Sequence, residues 1–221
     1  MAGVVQRFTR LHGTLHAGTL IVGATLLGIS THLAAGSPVF YFLTATLGVI
    51  WFGGAWVTHE ERGLWGWLRE CDAVDRKPPG SAISIGLGIG GALAIAFIAG
   101  AFLIDLIPPL RDPLVDLLEF ARFGALPTVT IITVTTGCAE EIYFRGALFR
   151  DLPEKWAMWA SAGLYALVTS VSGIALLTLS ALTLGIVCGY ARAHWGRVDQ
   201  CIVIHLVWSL TMLYVLPLII T

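Results

Sequence analysis

Glu140 and Glu141 stand side by side in the stretch GCAEEIYFRG (137–146), and Arg145 follows Glu141 by four positions. Residues four apart share one face of a helix, so Glu141 and Arg145 can pair. Glu140 points about 100° away from Glu141 and has no cation along its own helix to meet it. An unpaired carboxylate in apolar surroundings is suited to taking up a proton from a reacting group, the work of a general base. The plainer reading is a structural Glu–Arg clamp with Glu140 facing a polar crevice. Ionisable side chains at membrane depth are costly, and by default they point to function. His205 is the next candidate, with Ser209 four positions on and on the same face. A single histidine in a membrane helix often does no more than hydrogen-bond a neighbouring helix. The other histidines lie on other segments: His12, His16 and His59 toward the end that Arg145 approaches, His32 at the opposite end, and His194 before the last apolar run. A catalytic zinc usually has three protein ligands, and only Glu140, Glu141 and His205 are placed to serve, so no metal or other cofactor is expected.

The elements that must hold these residues are apolar. Hydrophobic residues make up 57% of the 221-residue chain and charged ones 12%, against about 25% charged in a soluble domain; mean hydropathy is +0.83. The apolar residues fall into blocks near 17–36, 39–57, 81–107, 125–144, 156–171, 173–191 and 200–219. Each is close to the roughly 17–25 residues a bilayer helix needs. Helices or closed barrels alone satisfy their backbone in lipid, and these runs are too long and evenly apolar for barrel strands. The expected fold is therefore an all-α polytopic transmembrane bundle of about seven spans. It forms a single membrane domain over 1–221, with no soluble module and no internal repeat.

The basic residues orient it. Eleven of the 13 Lys and Arg (Arg7, Arg10, Arg62, Arg69, Arg76, Lys77, Arg145, Arg150, Lys155, Arg192, Arg197) fall on one side of a seven-span chain, and Arg111 and Arg122 on the other. The positive-inside bias then predicts a cytoplasmic N-terminus and an external C-terminus. Glu140 is ten residues before Arg150 at the cytoplasmic end, which places it about 15 Å along its helix from that end. A net charge of −1 leaves no basic patch for nucleic acid. The expected partners are the bilayer and a membrane-associated protein or peptide. Short loops and small size point to a prokaryotic plasma membrane.

Smaller features have ordinary readings. The first apolar run exceeds the 7–15 residues of a leader's core, so LAAGS (33–37) is read as a loop, not a cleavage site. Cys71, Cys138, Cys188 and Cys201 form no CxxC pair, so neither a disulfide framework nor a zinc cluster is expected. Leu64, Trp65, Trp67 and Leu68 beside charges predict a short interfacial helix ending at Pro78-Pro79. Apolar residues at 114, 117, 118 and 121 with acids at 112, 116 and 119 predict an amphipathic helix on the membrane. Gly86-xxx-Gly90 and Gly185-xxx-Gly189 let helices approach closely and are expected to stabilise the bundle.

EEIYFR (140–145) resembles the EExxxR signature of the CPBP intramembrane proteases, which include the type II CAAX prenyl proteases and the bacteriocin-processing or immunity (Abi-like) proteins. The family's second motif, FxxxH, aligns with YALVT (165–169) on the next span, and its third, HxxxN, with HLVWS (205–209) on the last. The similarity covers 125–215. It implies that Glu140 activates a water for attack on an amide and that Glu141 and Arg145 orient and neutralise the acid site. His205 would stabilise the oxyanion. The second-motif His is Thr169 here, the Asn is Ser209, and the Phe is Tyr165. A threonine hydroxyl can hold a water but not take up its proton, and losing a general base typically costs about 10²–10⁴-fold. Serine remains a donor to an oxyanion at shorter reach.

Two functions follow as expectations. One is an intramembrane endopeptidase in which Glu140 deprotonates a water held by Thr169 or Tyr165, with His205 and Ser209 receiving the oxyanion. The other, motivated by Thr169 and Ser209, is a scaffold that binds a membrane peptide or partner without cutting it. A proton-relay transporter has little support, since no second buried acid is expected on a facing helix. The case rests on three neighbouring spans converging so that an acid, a hydroxyl and an imidazole line one wet pocket beneath the inner leaflet.

Overall fold

The computed structural model describes residues 2–34, 36–58, 79–107, 111–112, 114–115, 118–119 and 125–220. The predicted interfacial helix at 64–68 and the acid at 116 lie outside the described residues, as do positions 117 and 121. Among the described residues there is no strand, and the chain forms seven long helices: α1 (Ala2–Thr31), α2 (Pro38–Val57), α3 (Pro79–Asp105), α4 (from Leu126), α5 (Glu154–Ser170), α6 (Ala175–Trp195) and α7 (Val198–Ile219). Helix α4 is α-helical over Leu126–Glu141, π-helical over Ile142–Leu148, and runs on without a break through Phe149–Asp151. Helices α1, α2, α3, α6 and α7 are long and apolar enough to cross a membrane. The helices that bear the three motifs are therefore two polar or short ones, α4 and α5, and the apolar α7.

Local chemistry sets the ends. Ser37 caps α2 by accepting from the Phe40 amide at 3.2 Å, with Pro38 in the first turn, where its missing N–H and fixed φ do no harm. The α6–α7 turn pivots on Gly196 at φ 73°, a left-handed conformation that a Cβ would disfavour. Its amide caps the Arg192 carbonyl at 2.9 Å.

The helices close into a ring: α1 packs on α2, α2 on α4, α4 on α7, α7 on α6, α6 on α5, and α5 back on α1. Helix α3 lies outside the ring along α7. Both small-residue pairs act at helix crossings. A Cβ on Gly86 would come within 2.9 Å of Val203, and one on Gly90 within 2.9 Å of the Ile204 carbonyl of α7. One on Gly185 would meet Ala162 of α5 at 3.1 Å, and one on Gly189 would meet Met158 at 3.1 Å. Glycine there lets backbones come together without a hydrophobic drive, which lipid does not supply.

The π-helical segment fills the ring's centre at the basic end. Tyr143, Phe144, Arg145 and Ala147 are 0% exposed. Trp51 of α2 packs on Tyr143 and Phe144 at centroid distances of 5.2 and 5.0 Å. A π turn shifts carbonyls off the ordinary α-helical ladder. The Phe144 carbonyl accepts from Ser161 Oγ at 2.8 Å, and the Arg145 carbonyl from Arg192 Nε at 3.0 Å. Just beyond, Asp151 accepts from His12 Nδ1 at 3.0 Å, His16 Nε2 at 3.1 Å and Arg150 Nε at 3.0 Å, which ties α1 to the end of α4. At the opposite end, residues 111–112, 114–115 and 118–119 are helical. Leu114 and Leu118 pack inward on Ala101, Leu216 and Ile220, while positions 112 and 119 are exposed. That much of the amphipathic pattern is present, and its apolar face meets the bundle.

Candidate functional site

Glu141 and Arg145 sit one turn apart on α4, both 0% exposed, with Arg145 Nη1 donating to Glu141 Oε1 at 3.2 Å. The guanidinium carbon lies 4.9 Å from the Tyr165 ring centroid and 5.9 Å from that of Phe144, within cation–π range. His205 of α7 approaches from the other side, its Nδ1 2.8 Å from the same Glu141 oxygen. An ionised carboxylate only accepts, so Nδ1 carries the hydrogen and donates it. Glu141 is thus the anchor for both a guanidinium and an imidazole.

That anchoring turns Nε2 of His205 toward Glu140, 3.9 Å from Oε2. This is too far for a direct hydrogen bond and is the spacing that one bridging oxygen can span. Glu140 Oε2 also accepts from the Tyr165 hydroxyl at 2.6 Å, a short charge-assisted bond. Glu140 keeps 15% of its side chain accessible, whereas Glu141 keeps none. Two carboxylates adjacent in sequence therefore differ in kind: one is locked in a network, the other faces open space.

The open space is a cavity of about 600 Å³ lined by Glu140, Tyr165, Thr169, His205 and Ser209 among many apolar residues. Four of the six expected site residues thus border one cavity, and Glu141 and Arg145 lie beneath it. The sequence left the hydroxyl beside Glu140 open between Thr169 and Tyr165. Thr169 Oγ1 donates to the Tyr165 carbonyl at 2.9 Å, so the hydroxyl that meets the acid belongs to Tyr165, one turn earlier. A helical threonine readily bonds back in this way, whereas the phenol reaches across to α4. The signal was the tyrosine itself, a hydroxyl where the motif has phenylalanine. The cavity lies on the far side of Glu140 from the basic end, because the π-helical segment occupies the near side. Ser209 Oγ donates to the Leu206 carbonyl at 3.5 Å, a long bond that leaves it free to turn. Among the described residues no three His, Cys, Asp or Glu side chains form an arrangement that could hold a metal ion.

Sequence comparison agrees with the motif reading. Residues 122–211 match the family model described as type II CAAX prenyl endopeptidase Rce1-like. No curated protein and no solved structure matches the chain.

Proposed function

We propose that the protein is an intramembrane endopeptidase with Glu140 as its general base, a reading supported by the match of residues 122–211 to the family model described as type II CAAX prenyl endopeptidase Rce1-like. The observation that carries this is the 3.9 Å separation of Glu140 Oε2 and His205 Nε2 at the cavity floor. A water held between them gives a proton to Glu140 as its oxygen attacks the carbonyl carbon of a substrate amide. With Nδ1–H held by Glu141, a second proton on the imidazole lies on Nε2 and points at the oxyanion that forms. Ser209, one turn along α7, turns away from Leu206 to add a donor. Collapse of the tetrahedral species breaks the C–N bond, and the proton on Glu140 passes to the departing nitrogen. Tyr165 orients the base, and Arg145 with Glu141 fixes the imidazole. The substrate is a membrane-associated protein or peptide, and the enzyme sits in a plasma membrane with its basic loops in the cytoplasm.

A second reading is favoured by the same hydrogen bonds. The Tyr165 hydroxyl already occupies Glu140, and Thr169 is turned to its own helix, so the scaffold holds a membrane peptide without cutting it. The purified protein in nanodiscs, offered a library of membrane peptides, separates the two. Glu140→Gln should lower cleavage by about 10²–10⁴-fold. Cleavage absent from the unaltered protein, or equal in both, removes the endopeptidase reading.

A further inference from the structure

Resting on the endopeptidase reading, we propose that Arg192 and Ser161 are positioning residues for the reaction. By holding two successive carbonyls of the π-helical segment, they set the heights of α7 and α5 beside α4, and with them the two contacts of Glu140. The Phe149 amide could serve the Arg145 carbonyl in an α-helix or the Phe144 carbonyl in a π-helix. It donates to the Gly146 carbonyl instead. Arg192 Nε of α6 meets the Arg145 carbonyl at 3.0 Å, and Ser161 Oγ of α5 meets the Phe144 carbonyl at 2.8 Å. A buried carbonyl left without a partner costs about as much as a lost hydrogen bond. Each of these two side chains therefore has a fixed target on α4.

Each brace leads to one side of Glu140. Arg192 also donates through Nη1 to the Gly196 carbonyl, in the turn from which α7 begins at Val198. One guanidinium thus ties α4 to the start of the helix that carries His205. Its planar fork is held over the Phe149 ring, 5.6 Å from the centroid, and a lysine ammonium does not reproduce that fork. The gap that depends on it is the 3.9 Å between His205 Nε2 and Glu140 Oε2. Ser161 is 0% exposed and stands one turn before Tyr165 on α5. Its bond to α4 fixes the height at which the phenol meets Glu140 at 2.6 Å. Neither Ser161 nor Arg192 is among the residues that line the cavity, so both act through others. Local π geometry recurs at functional sites. Here it supplies the attachment points that bring three motif helices to one height.

Kinetics in nanodiscs, with a library peptide that the unaltered protein cleaves, test both braces. Arg192→Met should lower kcat per folded molecule by about 10²-fold, the cost of misplacing reacting groups by about 1 Å. KM should stay within about twofold, because no substrate contact is lost. Arg192→Lys keeps the charge but reaches one carbonyl, and should recover only part of the rate. Ser161→Ala should lower kcat by no more than about tenfold, the worth of the one hydrogen bond it positions, and should have no further effect in Tyr165→Phe. A second readout needs no proteolysis. The His205 Nδ1 proton, held in its 2.8 Å bond to Glu141, resonates far downfield and is assigned by its loss in His205→Gln. Arg192→Met should move it upfield. If that variant does not fold, Arg192→Lys supplies both readings. An unmoved resonance, an unchanged kcat, a raised KM at constant kcat, or full recovery by Arg192→Lys overturns the role of Arg192. A Ser161→Ala loss that persists in Tyr165→Phe overturns that of Ser161. If Glu140→Gln leaves cleavage unchanged, the endopeptidase reading falls, and the Nδ1 resonance alone then decides whether Arg192 sets the height of α7.

Discussion

The two halves of the bundle are made from the same helices and differ in what fills their centre. At the basic end, the π-helical stretch of α4 pushes Tyr143, Phe144 and Arg145 into the ring, where Trp51 packs on them. At the other end the ring, with α3 and Leu114 and Leu118 beside it, borders a cavity of about 600 Å³. Glu141 belongs to the first half and Glu140 to the boundary. The contrast teaches how a membrane protein can keep an acid usable. Residue Glu141 is spent on holding Arg145 and His205, and this network presents Glu140 to open space with only a phenol and an imidazole nearby.

Arg145→Met should hurt the filled half most. It strands Glu141 in the core with only His205, and breaking a buried pair typically costs about 3–5 kcal/mol. Thermal unfolding in detergent measures it, and a loss below 1 kcal/mol would mean the pair is not what supports the floor. Trp51→Ala removes a side chain that is 1% exposed and should cost about 3–5 kcal/mol. Leu213→Ala in the hollow half should cost less than about 2 kcal/mol, because its methyls already border empty space. Equal losses would erase the distinction between the halves.

A smaller effect is expected at the boundary. Tyr165→Phe removes the hydroxyl on Glu140 and restores the motif's usual residue. Cleavage should fall about tenfold, the equivalent of one charge-assisted hydrogen bond near 1.5 kcal/mol, with the melting temperature little changed. A rise in rate would instead show that the phenol restrains the base. The smallest effect belongs to Asp151 at the basic surface. Burial pushes its carboxyl up, but the hydrogen bond from His16 and the charge and hydrogen bond of Arg150 outweigh this and hold it below the usual carboxylate range. A depressed folded-state value means the stabilisation is present above the unfolded value, about 3.9. It is lost as pH falls through the folded one. Asp151→Asn should therefore cost about 1 kcal/mol at neutral pH and flatten the acid limb of the stability profile. An unaltered acid limb would rule out this contribution.

The seven apolar runs could be read from the chain because hydropathy and helical rise are local: the expected span at 39–57 is observed as Pro38–Val57, and that at 200–219 as Val198–Ile219. The Glu141–Arg145 pair was equally accessible, since four residues on one helix are neighbours wherever the helix goes. The partners of Glu140 were less so. Tyr165 is 25 positions from it along the chain, and His205 is 64 positions from Glu141. Positions 165 and 169 share one face of α5 and both line the cavity, so which hydroxyl meets Glu140 depends on the height at which α5 packs beside α4 and on the longer reach of the phenol. The side on which the cavity lies was decided in the same way. A π-helical turn and the indole of Trp51 occupy one half of the ring, and no local pattern in the chain announces which half will be left open.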